Sequence, residues 1–553
     1  MSSTNFVACV AKIVGNETLW RTGGVDMHGK PATNVSQVLG MTYPMCVAQC
    51  GSAPEPFKFA TFSNQATSFL LPFLALTAQL PFGGSSHTDN LSTIMLTIGS
   101  PTLAVFSLVI TVLNSRWIKR RFAQMPYYPN TQQAVTILNN LQESLLRVKS
   151  TTSDGRLHLL APLIVLPEND KWWEHGAAAL AFTHTWSMAN IASVGWAIIA
   201  YIFTIACMDP SSMNIIGPAV ACAWIWLLPL VVGWLQNSPN CDESQLRKHL
   251  TALNEMFYVS VPPPGYGPPV LADSLTEECA ITVWPSLDNS HGSDEARSPP
   301  FFNYARVFPW ARAVEQIAQA FEAASMRASN RMAVHGAWTA SSVKRSIDPG
   351  NRSGSANEVA GYIATQFELQ PTCWAPEVWG RVVYSAIVAC AVQWSCTGAA
   401  FVTAWMTPTV GLGCHSVSFL LHGFMSTAVF IIILLGQVFE QFQHCTNPLT
   451  PPPIPPSSLR ARYKTLSTLF RRVGKLLAWL NASVFIISDL LRFANLFDNC
   501  FCGSSVFGHG AQHAYNIVIY DPAMHFVDWW IASVVFATAA SFTFWFALFV
   551  LRG

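Results

Sequence analysis

The sequence predicts an all-α, polytopic integral membrane protein: a helical bundle of about eight transmembrane helices, with short helices in its cytosolic loops. Three observations carry this prediction. Of 553 residues, 51% are hydrophobic and only 11% charged, against roughly 25% charged in an ordinary soluble domain. The apolar residues gather into runs long enough to cross a hydrocarbon core, which takes about 20 helical residues. Backbone amides in lipid must be bonded within their own segment, so runs of about 18 residues or more favour helices over barrel strands.

Taken in order, residues 1–65 read as a cytosolic N-terminal segment without the basic start and apolar stretch of a cleaved signal peptide. Residues 66–235 hold expected spans at 66–83, 93–114, 178–206 and 213–235, with a loop at 115–177. Inside that loop, Leu157 to Pro167 is apolar but short and contains Pro162, so it reads as a re-entrant, interfacial or packed piece. Residues 236–378 form a large loop, partly helical and partly disordered. Helices are expected at 242–257 and 309–332; the Ser- and Gly-rich stretch 339–358 reads as flexible. Residues 379–553 hold spans at 379–406, 417–441, 475–497 and 527–551, with a Pro-rich loop at 442–474. The helix leading into the seventh of these spans begins near Leu459.

Charge orients the chain. Loops 84–92, 207–212, 407–416 and 498–526 contain no Lys or Arg, whereas 115–177, 236–378 and 442–474 contain eight, ten and five. The positive-inside bias therefore places the three long loops and both termini in the cytosol. On that topology Asn16-Glu17-Thr18, Asn34-Val35-Ser36 and Asn351-Arg352-Ser353 match the glycosylation sequon on the wrong side for modification. Cys9, Cys46, Cys50, Cys241, Cys279 and Cys445 should be reduced. Cys207, Cys414, Cys500 and Cys502 lie in or beside outer loops, and Cys414 is expected to bond Cys500 or Cys502. Arg116, Lys119, Arg120 and Arg121 form an interfacial anchor and a candidate site for anionic lipid. The lipid bilayer is the partner the composition requires. The net charge of +1 gives no global attraction to nucleic acid.

No phosphate-binding GxxxxGK[ST] loop, GxSxG elbow or HExxH helix occurs, and no cofactor is expected. The positive signal is polar residues inside spans, because ionisable groups in hydrocarbon are costly and mark pathways or internal pairs. In the seventh expected span Asn481, Ser488, Arg492, Asn495 and Asn499 recur at helical spacing, with Asp489 three residues before Arg492. Asp489 and Arg492 should pair, face away from lipid and contact polar groups of another span. His184 and Asn190 in the third span and His422 in the sixth offer further polar groups. In the last outer loop His509 and His513, four residues apart, are candidate metal ligands.

The strings FATFSNQATSFLLPFLALTAQLPFG, DNLSTIMLTIGSPTLAVFSLVITVLNSRWIKRRF and LIVLPENDKWW resemble a group of multi-pass membrane proteins of filamentous fungi that has no assigned function. The resemblance implies a fungal membrane setting and brings no substrate or catalytic residue. The sequence thus predicts a transporter or channel-like protein. The alternative is a membrane scaffold or receptor acting through its cytosolic loops, and a membrane-embedded enzyme comes third.

Overall fold

The computed structural model describes residues 5–80, 87–125, 127–180, 187–206, 216–237, 243–261, 268–283, 306–341, 346–364, 374–444 and 457–552. The chain begins with two capped helices, α1 (Phe6–Val14) and α2 (Glu17–Gly23). The Asn5 and Asn16 side chains accept the Ala8 and Thr18 amides, satisfying donors a helix start leaves open. Strands β1 (Gly24–Val25) and β2 (Gly40–Thr42) pair antiparallel, and α3 (Tyr43–Cys50) follows. Phe6, Val10, Ile13, Trp20 and Met41 bury one another in a small core of their own.

A helical stretch then runs through α4 (Phe59–Gln65), a π turn at Ala66–Leu70 and α5 (Leu71–Thr77). Next come α6 (His87–Gly99) and α7 (Pro101–Phe122). Ser100 and Pro101 separate the last two. Proline has no amide to donate, so it ends one helix and starts the next. Gly99 lies against the backbone carbonyl of Ala478, where a Cβ would collide with it. Gly99→Leu is therefore expected to wedge α6 off its neighbour and to cost about 1–3 kcal/mol. Thermal unfolding in detergent checks this, and an unchanged melting temperature would refute the close approach.

Helices α8 (Thr131–Asn140), α9 (Leu160–Val165) and α10 (Asp170–Leu180) follow, with β3 (Arg147–Val148) between the first two. Then come α11 (Met188–Ala206), α12 (Ile216–Trp224), α13 (Leu227–Asn237) and α14 (Glu243–Asn254). Three two-residue strands, β4 (Tyr258–Val259), β5 (Val270–Leu271) and β6 (Ile281–Thr282), precede α15 (Val307–Ser329) and α16 (Ala356–Ile363). The remaining long helices are α17 (Val378–Met406), α18 (Cys414–His444) and α19 (Ser457–Phe493). The short α20 (Cys500–Gly503), α21 (Val506–His513) and β7 (Tyr515–Ile517) lead into α22 (Phe526–Arg552).

Among the described residues seven helices are long and apolar enough to cross a membrane: 101–122, 188–206, 218–237, 378–406, 414–442, 461–493 and 526–551. The protein is an all-α multi-pass membrane bundle. Its perimeter is apolar: Ile198, Ile202 and Phe203 on α11 and Phe536, Phe542, Phe546 and Phe549 on α22 are exposed, as lipid contact requires. The interior is crossed by α7, on which residues from Pro101 to Val112 are all buried.

The structure corrects the expected span at 66–83. Over its described residues, 66–80, that stretch is helical as far as Thr77, with a π turn in it, and it is not one of the seven long apolar helices; residues 81–83 lie outside the described residues. The span expected at 93–114 shifts to 101–122 because the helix breaks at Ser100. Residues 178–180 close α10, and the next span begins at Met188.

The described parts of loops 115–177 and 236–378 build one folded mass at one end of the bundle. Leu160–Val165, all buried, is a packed piece. The amphipathic α15 is its keel. Trp310 donates from Nε1 to the Leu138 carbonyl at 3.0 Å and meets the Trp117 ring at 6.1 Å. Phe321 packs edge-on against Phe122, Tyr128 and Trp173. Arg121, part of the candidate lipid site, instead pairs with Glu315 at 3.1 Å and Glu322 at 2.7 Å. The expectation of flexibility over 339–358 is corrected for residues 339–341 and 346–358; residues 342–345 lie outside the described residues. Arg352 is 3% exposed, bonded to Asp170 at 2.6 Å and to the Val165 carbonyl at 2.9 Å, and Ser355 with Glu358 forms a capping box for α16. One buried arginine outweighs the Ser- and Gly-rich background.

The N-terminal segment sits at the other end. Strand β2 pairs with β7 as well as β1, so residues 40–42 lie against 515–517 in a three-stranded sheet. Three disulfides fasten this cap: Cys9 to Cys50, Cys46 to Cys500 and Cys414 to Cys502. This overturns the expectation of free thiols at Cys9, Cys46 and Cys50. It also separates the segment from the basic loops with which charge had grouped it. The bond expected from Cys414 is made to Cys502, with Cα atoms 5.0 Å apart; Cys500 is taken by Cys46, across a separation of 454 residues. Cys207, Cys241 and Cys445 lie outside the described residues.

Candidate functional site: a polar cavity beneath the disulfide-bonded cap

Helix α18 starts at Cys414, directly under the cap, and α19 arrives there from the opposite direction. The two pack side by side, which brings the first turns of one against the last turns of the other. Asp489 and Arg492 are one turn apart on α19, so their side chains meet along the helix. The Arg492 Nη1 to Asp489 Oδ1 distance is 2.8 Å, and both residues are buried.

Pairing on one helix leaves other guanidinium donors open, and α18 supplies acceptors. Arg492 donates from Nη2 to Ser418 Oγ at 2.7 Å and from Nε to His415 Nδ1 at 3.1 Å. An arginine only donates, so His415 accepts at Nδ1 and, when neutral, carries its proton on Nε2. The guanidinium also lies 4.5 Å over the Phe419 ring. His415 and Ser418 are three residues apart at the start of α18, and nothing in their local sequence marks them as partners of Arg492. Sequence reasoning missed both.

Above this cluster is a cavity of about 400 Å³, bounded by the cap and the helix ends, with His415 in its wall. Glu55, Lys58, Thr409, Asn495 and Asp498 also line it. The chain reverses into the cap at Asn495, whose φ of 59° is left-handed, a conformation asparagine tolerates better than most residues. This reversal removes Asn495 and Asn499 from the helical stripe expected on α19. Asn495 lines the cavity, and Asn499 accepts the Cys502 amide to cap α20.

Lys58 and Glu55 pair at 3.3 Å. The Asp498 carboxyl has a surface open to the cavity. Although Asp498 is exposed, the protein crowded around it, with a smaller contribution from the Glu55 charge, pushes its pKa up to about 6, against the opposing pull of Lys58. A carboxyl raised in the folded state holds its proton more tightly there than in the unfolded chain. Its contribution therefore favours folding at low pH and is lost as pH rises towards and through about 6. Acidification from neutrality to pH 5 should thus make the cap more resistant to proteolysis, and Asp498→Asn should flatten that dependence. A variant with the full pH dependence would remove Asp498 as its source.

Deeper in the bundle the polar residues tie helices together. Asn481 donates to the Gly99 and His422 carbonyls at 2.7 and 3.2 Å. Ser100 donates to the Ser426 carbonyl at 2.9 Å, and Thr102 meets the Ser426 hydroxyl at 3.0 Å. The His422 ring stacks on Phe485 at 4.3 Å. The expected residues therefore divide. Asp489 and Arg492, with Ser418, lie behind His415, which lines the cavity, while Asn481 and His422 lie deeper. Ser488 is half-buried beside the pair. Asn190 is in the first turn of α11, its amide donating to Ser187 Oγ, and His184 is outside the described residues.

The helical spacing expected of the candidate metal pair, His509 and His513, is not kept. Gly510, at φ 73°, breaks the helix between His509 and His513, and His509 Nε2 is 2.8 Å from the Val410 carbonyl. Among the described residues no three His, Cys, Asp or Glu side chains gather as metal ligands.

Comparison of the chain with protein-family models, with curated proteins and with solved structures finds no match.

Proposed function

We propose that this multi-pass membrane protein is a transporter or channel-like protein that takes a small polar solute from the cap side, with the Asp489–Arg492 pair held directly behind the His415 wall of the entry site. The carrying observation is the placement of that pair: a buried cation and anion, one side chain removed from a polar cavity through His415. Intramembrane charges that face a cavity are where ion and solute paths run. The cap belongs on the oxidising side of the membrane, since three disulfides hold it. The folded mass at the far end, which carries the basic loops, is cytosolic by the positive-inside bias. There Arg116, Lys119 and Arg120 are exposed and remain the candidate contacts for anionic lipid.

The test is reconstitution in liposomes, with a panel of amino acids and small inorganic ions presented from either side. Electrogenic current or tracer uptake that Asp489→Asn abolishes is the expected result. Absence of both flux and ligand-induced stabilisation across the panel would overturn the proposal.

A second reading, a receptor or scaffold, is favoured by the way loops 115–177 and 236–378 form one packed mass joined to α7 through Trp117, Trp310 and Arg121. Solute binding without flux, together with altered hydrogen exchange in α15, would select it.

A further inference from the structure

We propose that Asn34 carries an N-linked glycan. The inference rests on the orientation given above, with the cap on the oxidising side. Asn34-Val35-Ser36 is an acceptor sequon, and it lies in the cap between β1 and β2, in the segment that Cys9, Cys46 and Cys50 fasten by disulfides. The cell compartments that form such bonds are those in which asparagine is glycosylated.

Its local structure meets the requirements of the reaction. Residues 33–37 are all exposed. Asn34 is extended, with φ −130° and ψ 154°, and its side chain makes no capping bond to the helical turn it precedes. The amide nitrogen is thus free to face solvent, 25 residues ahead of the first bundle helix at Phe59. A large polar substituent there meets neither the β2–β7 pairing nor the bundle.

Two of the other sequons, at Asn16 and Asn351, differ. Asn16 accepts bonds at Oδ1 from the Thr18 amide and hydroxyl, and so already caps α2. Asn351 is 1% exposed, bonds Thr339 through both ends of its amide, and lies in the folded mass at the opposite end of the bundle.

The donor for the modification is a lipid diphosphate-linked oligosaccharide. Asn34 Nδ2 attacks C1 of its reducing-end sugar, forming the C1–N bond as the C1–O bond to diphosphate breaks. The lipid diphosphate leaves with the bonding pair, and Nδ2 gives up one of its two protons. No electrons are exchanged. The enzyme is the host's oligosaccharyltransferase, and no residue of this chain is catalytic in the step.

The experiment expresses the full chain in a eukaryotic host with an epitope after Arg552, and reads mobility with and without an endoglycosidase. The wild type should shift on treatment. Asn34→Gln and Ser36→Ala should each run one glycan step faster before treatment, while Asn351→Gln should match the wild type. A glycosidase shift in Asn34→Gln equal to that of the wild type would overturn the assignment. So would the absence of any shift in the wild type. The epitope tells two failures apart. If it is shielded in unpermeabilised cells and the glycan is absent, the Asn34 assignment fails alone; if it is accessible, the orientation fails with it.

Discussion

Replacing Cys46 with serine is expected to release the N-terminal segment from the bundle. The Cys46–Cys500 bond joins positions 454 residues apart, and removing a native disulfide costs about 2–5 kcal/mol. The sheet that remains is small: β2 contributes three residues and β7 three, too few to hold the segment alone. The Cys46→Ser protein should lose protease resistance across residues 5–58 while the long helices stay protected. Cys500→Ser should behave in the same way, and the double variant no worse than either single one. Full protection of the segment in Cys46→Ser would mean that packing of Phe6, Val10, Ile13 and Trp20 suffices without the bond.

The second large effect concerns Asp489 and Arg492. Removing one member of a buried pair leaves the other charge uncompensated, which costs about 3–5 kcal/mol. Asp489→Asn and Arg492→Gln should each lower thermal stability in detergent strongly. The double variant should recover part of the loss, because neither charge then stays buried alone. Ser418→Ala should cost only about 1 kcal/mol, as one hydrogen bond to a group that keeps its other partners. Independent, additive losses in the double variant would show that the two side chains do not act as a unit.

The membrane bundle was legible in the sequence because its cause is local. An apolar run of sufficient length specifies a span whatever surrounds it, so 379–406, 417–441 and 527–551 lie within a few residues of α17, α18 and α22. The pairing of Asp489 with Arg492 was legible for the same reason, since helical spacing alone brings them together. Of the cap, only the Cys414 bond was legible, to Cys500 or Cys502, and it is made to Cys502. The cap's sheet joins residues 40–42 to 515–517, and Cys46 bonds Cys500; no periodicity reports on contacts of that range. Lys12, Arg21, Lys30 and Lys58 group the first 65 residues with the basic loops by charge, whereas the structure pairs residues 40–42 with 515–517; Arg21 pairs with Glu17, and Lys58 with Glu55. His415 and Ser418 escaped notice because each is ordinary in its own helix, and only the packing of α18 on α19 gives them Arg492 as a partner.

The N-terminal segment and the last inter-helix loop form one covalently fastened cap above the cavity. Its most direct test is disulfide mapping of the full chain, extracted with thiols blocked and digested without reduction. The account predicts that fragments holding Cys46 and Cys500 are recovered joined, as are those holding Cys9 with Cys50 and Cys414 with Cys502, and that all separate only on reduction. Recovery of Cys46 and Cys50 as blocked free thiols would contradict it, placing the segment in a reducing compartment and away from the cavity it is held to cover.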